Sequence, residues 1–313
     1  MDINLYTPAY HINRKHIIKL TDYSTEEIFE LLFATKSLKS KFVAHESTND
    51  VLKDTTIALI FGDTSIRTRS AIEIGIHQLG GFSIYLPYSQ GDMEAGENIK
   101  DIADALSRYG VGALITRGIP EKELMSYCSI SKIPIINSSN ADEIPLQTLC
   151  DLFTIWEKVG HLEDVKLAYV GKGENNAASL ISGAIKCGMQ VSVATPAKYP
   201  IKQEKIRQAM QYGPIHITTD PHEAVENADI VYTDCYSYHT PLTDEDKKYL
   251  LPYQINDDLM KEAAHGAFFM HALPANRGIE VTADVIDGPH SIVLDQAFNK
   301  LHVVKAVLVM LVK

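Results

Sequence analysis

Short apolar runs recur along the chain, separated by longer stretches in which apolar residues return at helical spacing. Residues 57–61 (IALIF) form the first such run, followed by 82–86, 112–116 and 133–136. Each is short, rich in branched side chains and bounded by polar or turn residues, which predicts strands, and 57–61 reads as a buried one. A second series follows at 166–170, 190–194, 215–218, 230–232 and 267–270. Between them, helical spacing predicts helices over 98–109, 147–159, 176–188, 203–212 and 221–227. An earlier helix begins after Ser24, an N-cap residue followed by acids, with Ile28, Leu31, Leu32, Ala34 and Leu38 on its inner side. Alternating strands and helices predict an α/β fold of parallel sheets, because parallel strands need crossover connections. Functional groups are then expected at the carboxyl ends of strands.

The chain has 313 residues, enough for two domains with separate cores. It is 45% apolar and 22% charged, the composition of a soluble globular protein. A net charge of −11 argues against a nucleic-acid-binding surface, which needs a basic face. The four cysteines, Cys128, Cys150, Cys187 and Cys235, show neither CxxC nor zinc spacing and read as reduced, mostly buried thiols. No metal site is expected. The N-terminal stretch lacks the charged and apolar regions of a signal peptide. No apolar run approaches the ~20 residues that span a bilayer, and the reduced cysteines make a cytoplasmic location the expectation.

The chemistry concentrates in residues 56–75, TIALIFGDTSIRTRSAIEIG. A predicted strand leads through Thr64, Ser65, Arg67, Thr68 and Arg69 into a predicted helix. Hydroxyls, guanidinium groups and unpaired backbone amides at a helix N-terminus favour a negatively charged ligand. Arg117 also follows a strand. The Gly171-Lys172-Gly173 turn resembles part of a dinucleotide fingerprint, but the third glycine is missing and no acid closes the next strand. A nicotinamide site is therefore not expected, and no cofactor is implied.

The run Ser65-Ile66-Arg67-Thr68-Arg69 resembles the Ser-Thr-Arg-Thr-Arg phosphate loop of the aspartate and ornithine carbamoyltransferases. Later stretches resemble the ornithine branch in the same order: ENIKDIADALSRY (97–109), IPLQTLCDLFTIW (144–156), YVGKGENN (169–176), DIVYTD (229–234), HALPANRGIEVT (271–282) and LDQAFNKLHVVKAV (294–307). The resemblance implies two doubly wound parallel-sheet domains joined by a long bridging helix and a returning C-terminal helix. Residues 1–147, with the helix 295–313, would bind an anion of the carbamoyl phosphate type, and 148–294 would bind an amino acid. It implies carbamoyl transfer to an amine, and a homotrimer with shared active sites.

The same resemblance assigns roles. Ser65, Arg67 and Thr68 hold the phosphate, and Arg117 bridges phosphate and carbonyl oxygen. Gln147 reads the carbamoyl amide, and the Leu273-Pro274 carbonyls, with a cis bond between these residues, receive its NH2. Asn176 and Asp234 hold the carboxylate and ammonium of the amino acid. Departures fall in the same places. Ile66 stands for threonine, Ile144 for histidine, Ala272 for cysteine and Lys300 for an arginine that grips the carbamoyl group. Asp92 stands where a neighbouring subunit offers glutamine to the phosphate, and Tyr238-His239-Thr240 replaces the Ser-Met-Gly acceptor motif. Arg67, Arg117 and Gln147 are thus the expected catalytic residues, Lys300, Leu273 and Asp92 further donor contacts, and Tyr238 and His239 further acceptor contacts. These departures imply altered donor and acceptor pockets. Two other readings stay open at this point: a different reaction on a ureido or guanidino amino acid, or a non-catalytic amino-acid- or phosphate-binding protein.

Overall fold

Strand β1 (Thr56–Phe61) is buried along nearly its whole length, as a central strand covered on both faces must be. It lies in a four-stranded sheet of order β2-β1-β3-β4, with β2 (Phe82–Pro87), β3 (Val111–Arg117) and β4 (Ile135–Ser139). The computed structural model describes residues 1–88, 98–173, 175–237 and 241–312. A second sheet, of five strands, runs β7-β6-β5-β8-β9. Its members are β5 (Lys166–Val170), β6 (Gln190–Ala194), β7 (Ile215–Thr218), β8 (Ile230–Thr233) and β9 (Phe268–His271). Every pairing within the two sheets is parallel.

Helices supply the crossovers. They include α1 (Thr25–Val43), α2 (Ile66–Gln78), α3 (Ile99–Arg108), α4 (Glu121–Cys128), α5 (Pro145–Val159) and α6 (Asn175–Lys186). Ser24 and Glu27 close a reciprocal capping box on α1, which stabilises such a terminus by about 1 kcal/mol. After α7 (Gln203–Ala209) and α8 (Pro221–Val225) come α9 (Asp244–Leu250), α10 (Asp257–Met260), α11 (Ala283–Ile286) and the long α12 (Val293–Leu311).

The contacts divide the chain into two units. The first holds Thr7–Phe153 and Asn299–Lys313, the second Met1–Tyr6 and Thr154–Phe298. These divisions fall inside α5 and α12, a few residues beyond 147 and 294, and the N-terminal six residues pack with the second unit. Ala58, Ile60, Leu114 and Ile135 anchor the core of the first unit, together with Ala103 and Leu106 of α3. In the second, Ala168, Val170, Val231 and Phe269 pack with Tyr236, Val281 and Val285.

One strand differs from the sequence pattern. β4 begins at Ile135 and runs on through Asn137 to Ser139, past the end of the predicted strand 133–136. Burying Asn137 is possible because Ile17 docks beside it: Asn137 N–H donates to the Ile17 carbonyl (2.8 Å) and its side-chain amide donates to the Ile18 carbonyl (2.9 Å).

Candidate functional site

In the first sheet the strand order reverses at β1. The chain steps outward to β2, then crosses back to β3 on the other side of β1. The carboxyl ends of β1 and β3 are therefore a topological switch point, where α/β sheets open a crevice for ligands. Arg117 closes β3 there. Its backbone carbonyl accepts from Gly62 N–H at 2.7 Å, so the ladder continues one residue past the end of β1. Gly118 then turns away at φ +73°, and a side chain there would press on the Asp63 amide, 3.2 Å from its Cβ.

The Arg117 side chain is almost wholly buried and is held through Nε by a short ion pair to Asp63 Oδ1. A buried guanidinium needs such a partner, and the pairing fixes the plane of the fork. Asp63 lies two residues before Ser65. Ser65 takes the N-cap position of α2 without a side-chain bond to the helix amides. Thr68 is buried in the first turn, whereas Arg67 is exposed and Ile66, at the first helical position, is 85% exposed. Arg69 is engaged elsewhere: Nε meets Glu73 Oε1 at 3.0 Å and the guanidinium stacks 3.6 Å from the Tyr85 ring centroid. Of the two arginines in the loop, Arg67 is the one without such structural ties among the described residues.

A third cation arrives from far along the chain. Lys300 Nζ, on α12, donates to Gln147 Oε1 at 2.7 Å and lies 3.5 Å from Thr68 Oγ1, at the outer limit of a hydrogen bond. Gln147 in turn donates from Nε2 to Asp151 Oδ1 at 2.7 Å. These two bonds fix the amide orientation, with oxygen toward the ammonium and nitrogen toward the carboxylate. Burial holds the Lys300 ammonium below its ordinary pKa; Cys150 and Asp151 oppose this, and Arg117 and Arg67 add to it. Thr68, Arg117, Gln147 and Lys300, four residues assigned to the donor, thus share one neighbourhood, with Arg67 close enough to act on the lysine.

The second sheet repeats the device. Its order reverses between β5 and β8. The turn after β5 leads to Asn176 in the first turn of α6, and Asp234 directly follows β8. Asp234 is buried and accepts from the Tyr169 hydroxyl at 2.8 Å. Burial and the Asp234 charge push the Tyr169 phenol well above its ordinary pKa, so it remains a donor. The glycine spacing after β5 has a packing cause: a side chain at Gly173 would lie 2.3 Å from the Ile201 amide nitrogen. Leu273 follows β9 with φ +45° and a cis bond to Pro274, and its N–H donates to His271 Nδ1 at 2.9 Å.

Ser65, Arg67, Thr68, Arg117, Gln147 and Lys300 belong to the first unit, and Asn176, Asp234 and Leu273 to the second. Asp92, Tyr238 and His239 lie outside the described residues. Sequence reasoning missed Asp63, Asp151 and Tyr169. Asp151 was detectable at i+4 from Gln147 on one helix face, and Asp63 as a carboxylate inside a cationic loop. Tyr169 carried no signal, because strand periodicity does not say which phenol meets an aspartate. Among the described residues no cluster suits a metal ion, and no helix is long and apolar enough to cross a membrane.

Residues 15–157 match the family domain described as "Aspartate/ornithine carbamoyltransferase, carbamoyl-P binding domain", and 163–311 match the "Asp/Orn binding domain". The chain is 41% identical over 302 residues to an ornithine carbamoyltransferase of Caldicellulosiruptor saccharolyticus, covering 94% of this chain and 97% of that one. The solved ornithine carbamoyltransferase of Pyrococcus furiosus superposes with a TM-score of 0.88 at 39% identity, covering 94% of this chain and 95% of that one. The Thermus thermophilus enzyme gives 0.86 at 32% identity, with 96% and 100% covered. The chain belongs to the aspartate/ornithine carbamoyltransferase family, in its ornithine branch, and is an enzyme of the carbamoyltransferase kind.

Proposed function

We propose that this enzyme moves the carbamoyl group of carbamoyl phosphate to the side-chain amine of an α-amino acid, with ornithine as the acceptor. The observation that carries the donor half is the gathering of Arg117, Thr68, Gln147 and Lys300 at the β1/β3 switch point, with Lys300 Nζ 2.7 Å from Gln147 Oε1. In this reading the anion-binding domain corresponds to 1–147 with 295–313, and the amino-acid-binding domain to 148–294. Names of the relatives support ornithine as the acceptor. They lend no support to altered donor and acceptor pockets, to another ureido or guanidino reaction, or to a binding-only protein.

The chemistry follows from charge. The neutral acceptor amine attacks the carbamoyl carbon, a C–N bond forms, and the C–O bond to phosphate breaks with its electron pair leaving on the phosphate. The proton lost from nitrogen leaves with phosphate or solvent. Negative charge develops on the carbonyl oxygen and the departing phosphate, where Arg117 and Lys300 stabilise it. Arg67, Ser65 and Thr68 hold the phosphate. Gln147 and the Leu273 carbonyl orient the carbamoyl NH2. Asp234 receives the α-ammonium and Asn176 the carboxylate of the acceptor, and fixing both substrates supplies much of the remaining acceleration. Asp92, Tyr238 and His239 are proposed as further contacts. The enzyme acts as a homotrimer in the cytoplasm, the assembly being testable by light scattering.

The test is steady-state assay of purified protein with carbamoyl phosphate and a panel of amino acids and diamines. Ureido product and phosphate should appear in equal amounts with ornithine and fall away with shorter or longer side chains. Phosphate release that ignores the amine, or no ureido product with any amino acid, overturns the reading.

A further inference from the structure

Two buried ionisable side chains near Leu273 take no part in the roles above. His271 and Glu280 are each fully enclosed, with His271 Nε2 3.5 Å from Glu280 Oε1. They grip a single turn from opposite ends. His271 Nδ1 accepts from Leu273 N–H at 2.9 Å, and Glu280 Oε1 accepts from Asn276 N–H at 2.5 Å. The tautomer of the imidazole follows, since a nitrogen that accepts from an amide leaves the other to carry the proton, and that Nε2 makes no hydrogen bond of its own among the described residues.

Held in this way, the Asn276 side chain reaches the turn after β8. Its Nδ2 donates to Ser237 Oγ at 3.0 Å and lies 3.1 Å from Cys235 Sγ. Both partners sit within three residues of Asp234. Burial raises the Cys235 thiol pKa, so the sulfur remains a neutral partner. The amide thus spans two chain segments 39 and 41 residues apart, one bearing Leu273 and the other Asp234.

We propose that Asn276 is a positioning residue, anchored by Glu280 in a turn whose other end His271 holds, that couples the turn presenting the Leu273 carbonyl to the turn carrying the acceptor-binding Asp234. This rests on the function proposed above. A group reading the carbamoyl moiety and one holding the acceptor must keep a fixed spacing for attack, and rigid side-chain bonds keep it better than loop packing. A carboxylate in place of the amide keeps the shape but loses both donors and faces Glu280 with like charge.

The experiment uses the full-length enzyme with Asn276→Asp and Ser237→Ala. Expected is a rise in acceptor KM of about tenfold, the size of one hydrogen bond, with a lower kcat. Affinity for inorganic phosphate should stay within twofold of wild type. Hydrogen exchange of amides 235–237 should quicken while those of β5 and β6 keep their protection. Ser237→Ala adds no charge and serves where Asn276→Asp fails to fold. Acceptor KM and kcat within twofold of wild type in the folded variants, or exchange unchanged at 235–237, overturns the coupling. A wild-type enzyme inactive with every amine sinks the parent reading instead, and the exchange measurement still decides whether the two turns are tied.

Discussion

The two sheets use one topological device with opposite electrostatics. At the β1/β3 switch point, Arg117, Arg67 and Lys300 bring positive charge, partly balanced by Asp63 and Asp151. At the β5/β8 switch point the buried charge is Asp234, steadied by a phenol. Strand order sets a switch point in each, and the residues after the strands give each its charge. In the proposed reading the first holds a dianion whose leaving group needs compensation, and the second the ammonium of a zwitterion. A parallel sheet therefore offers a place, and chemistry comes from a few loop residues.

The largest expected effect tests the cationic side. Arg117→Met should lower kcat by about 10²–10³-fold, the usual loss for a donor aimed at developing charge. A fall below tenfold, measured at saturating substrates, would break the contrast between the two switch points. Asp234→Asn comes next. Losing a hydrogen bond to a charged group costs about 1.5–3 kcal/mol, so acceptor KM should rise roughly 10- to 150-fold. Phosphate affinity by calorimetry should not move, and a matching loss of phosphate binding would mean the two roles are not separable.

The smallest effect is a pH dependence confined to the cationic side. Lys300 has its folded pKa pushed below the ordinary lysine value, so its ammonium is present at lower pH and lost as pH rises through that depressed value. Phosphate affinity should therefore decline with rising alkalinity, by about tenfold or less. Lys300→Arg should flatten the decline, because a guanidinium stays charged throughout. Linkage has the opposite sign for folding: the ligand-free protein gains stability from this group as pH rises from the depressed value toward 10.5. Chemical denaturation at several alkaline pH values, compared with Lys300→Arg, checks that sign.

Most of the architecture was legible because buried strands and amphipathic helices leave different periods in the sequence. Polar exceptions were not. Asn137 lies inside β4 only because the segment at Ile17 and Ile18 docks beside it, a contact more than a hundred residues away in sequence. The site was legible where a motif gathers its residues locally, as from Ser65 to Thr68. It was less so where partners are distant. The motif resemblance named both Lys300 and Gln147 but not the bond between them, which spans 153 residues of sequence. The buried pair of His271 and Glu280 defeats the expectation that ionisable side chains face water, and only three-dimensional placement reveals what they hold.

That long interval between Gln147 and Lys300 has a consequence for how the protein is made. A ribosome delivers the phosphate loop, Arg117 and Gln147 early, yet the lysine that completes them emerges only after the whole second sheet has been synthesised. Under the donor roles proposed above, the growing polypeptide lacks this ammonium until α12 has left the exit tunnel, so carbamoyl phosphate would stabilise the first unit only once α12 has been made.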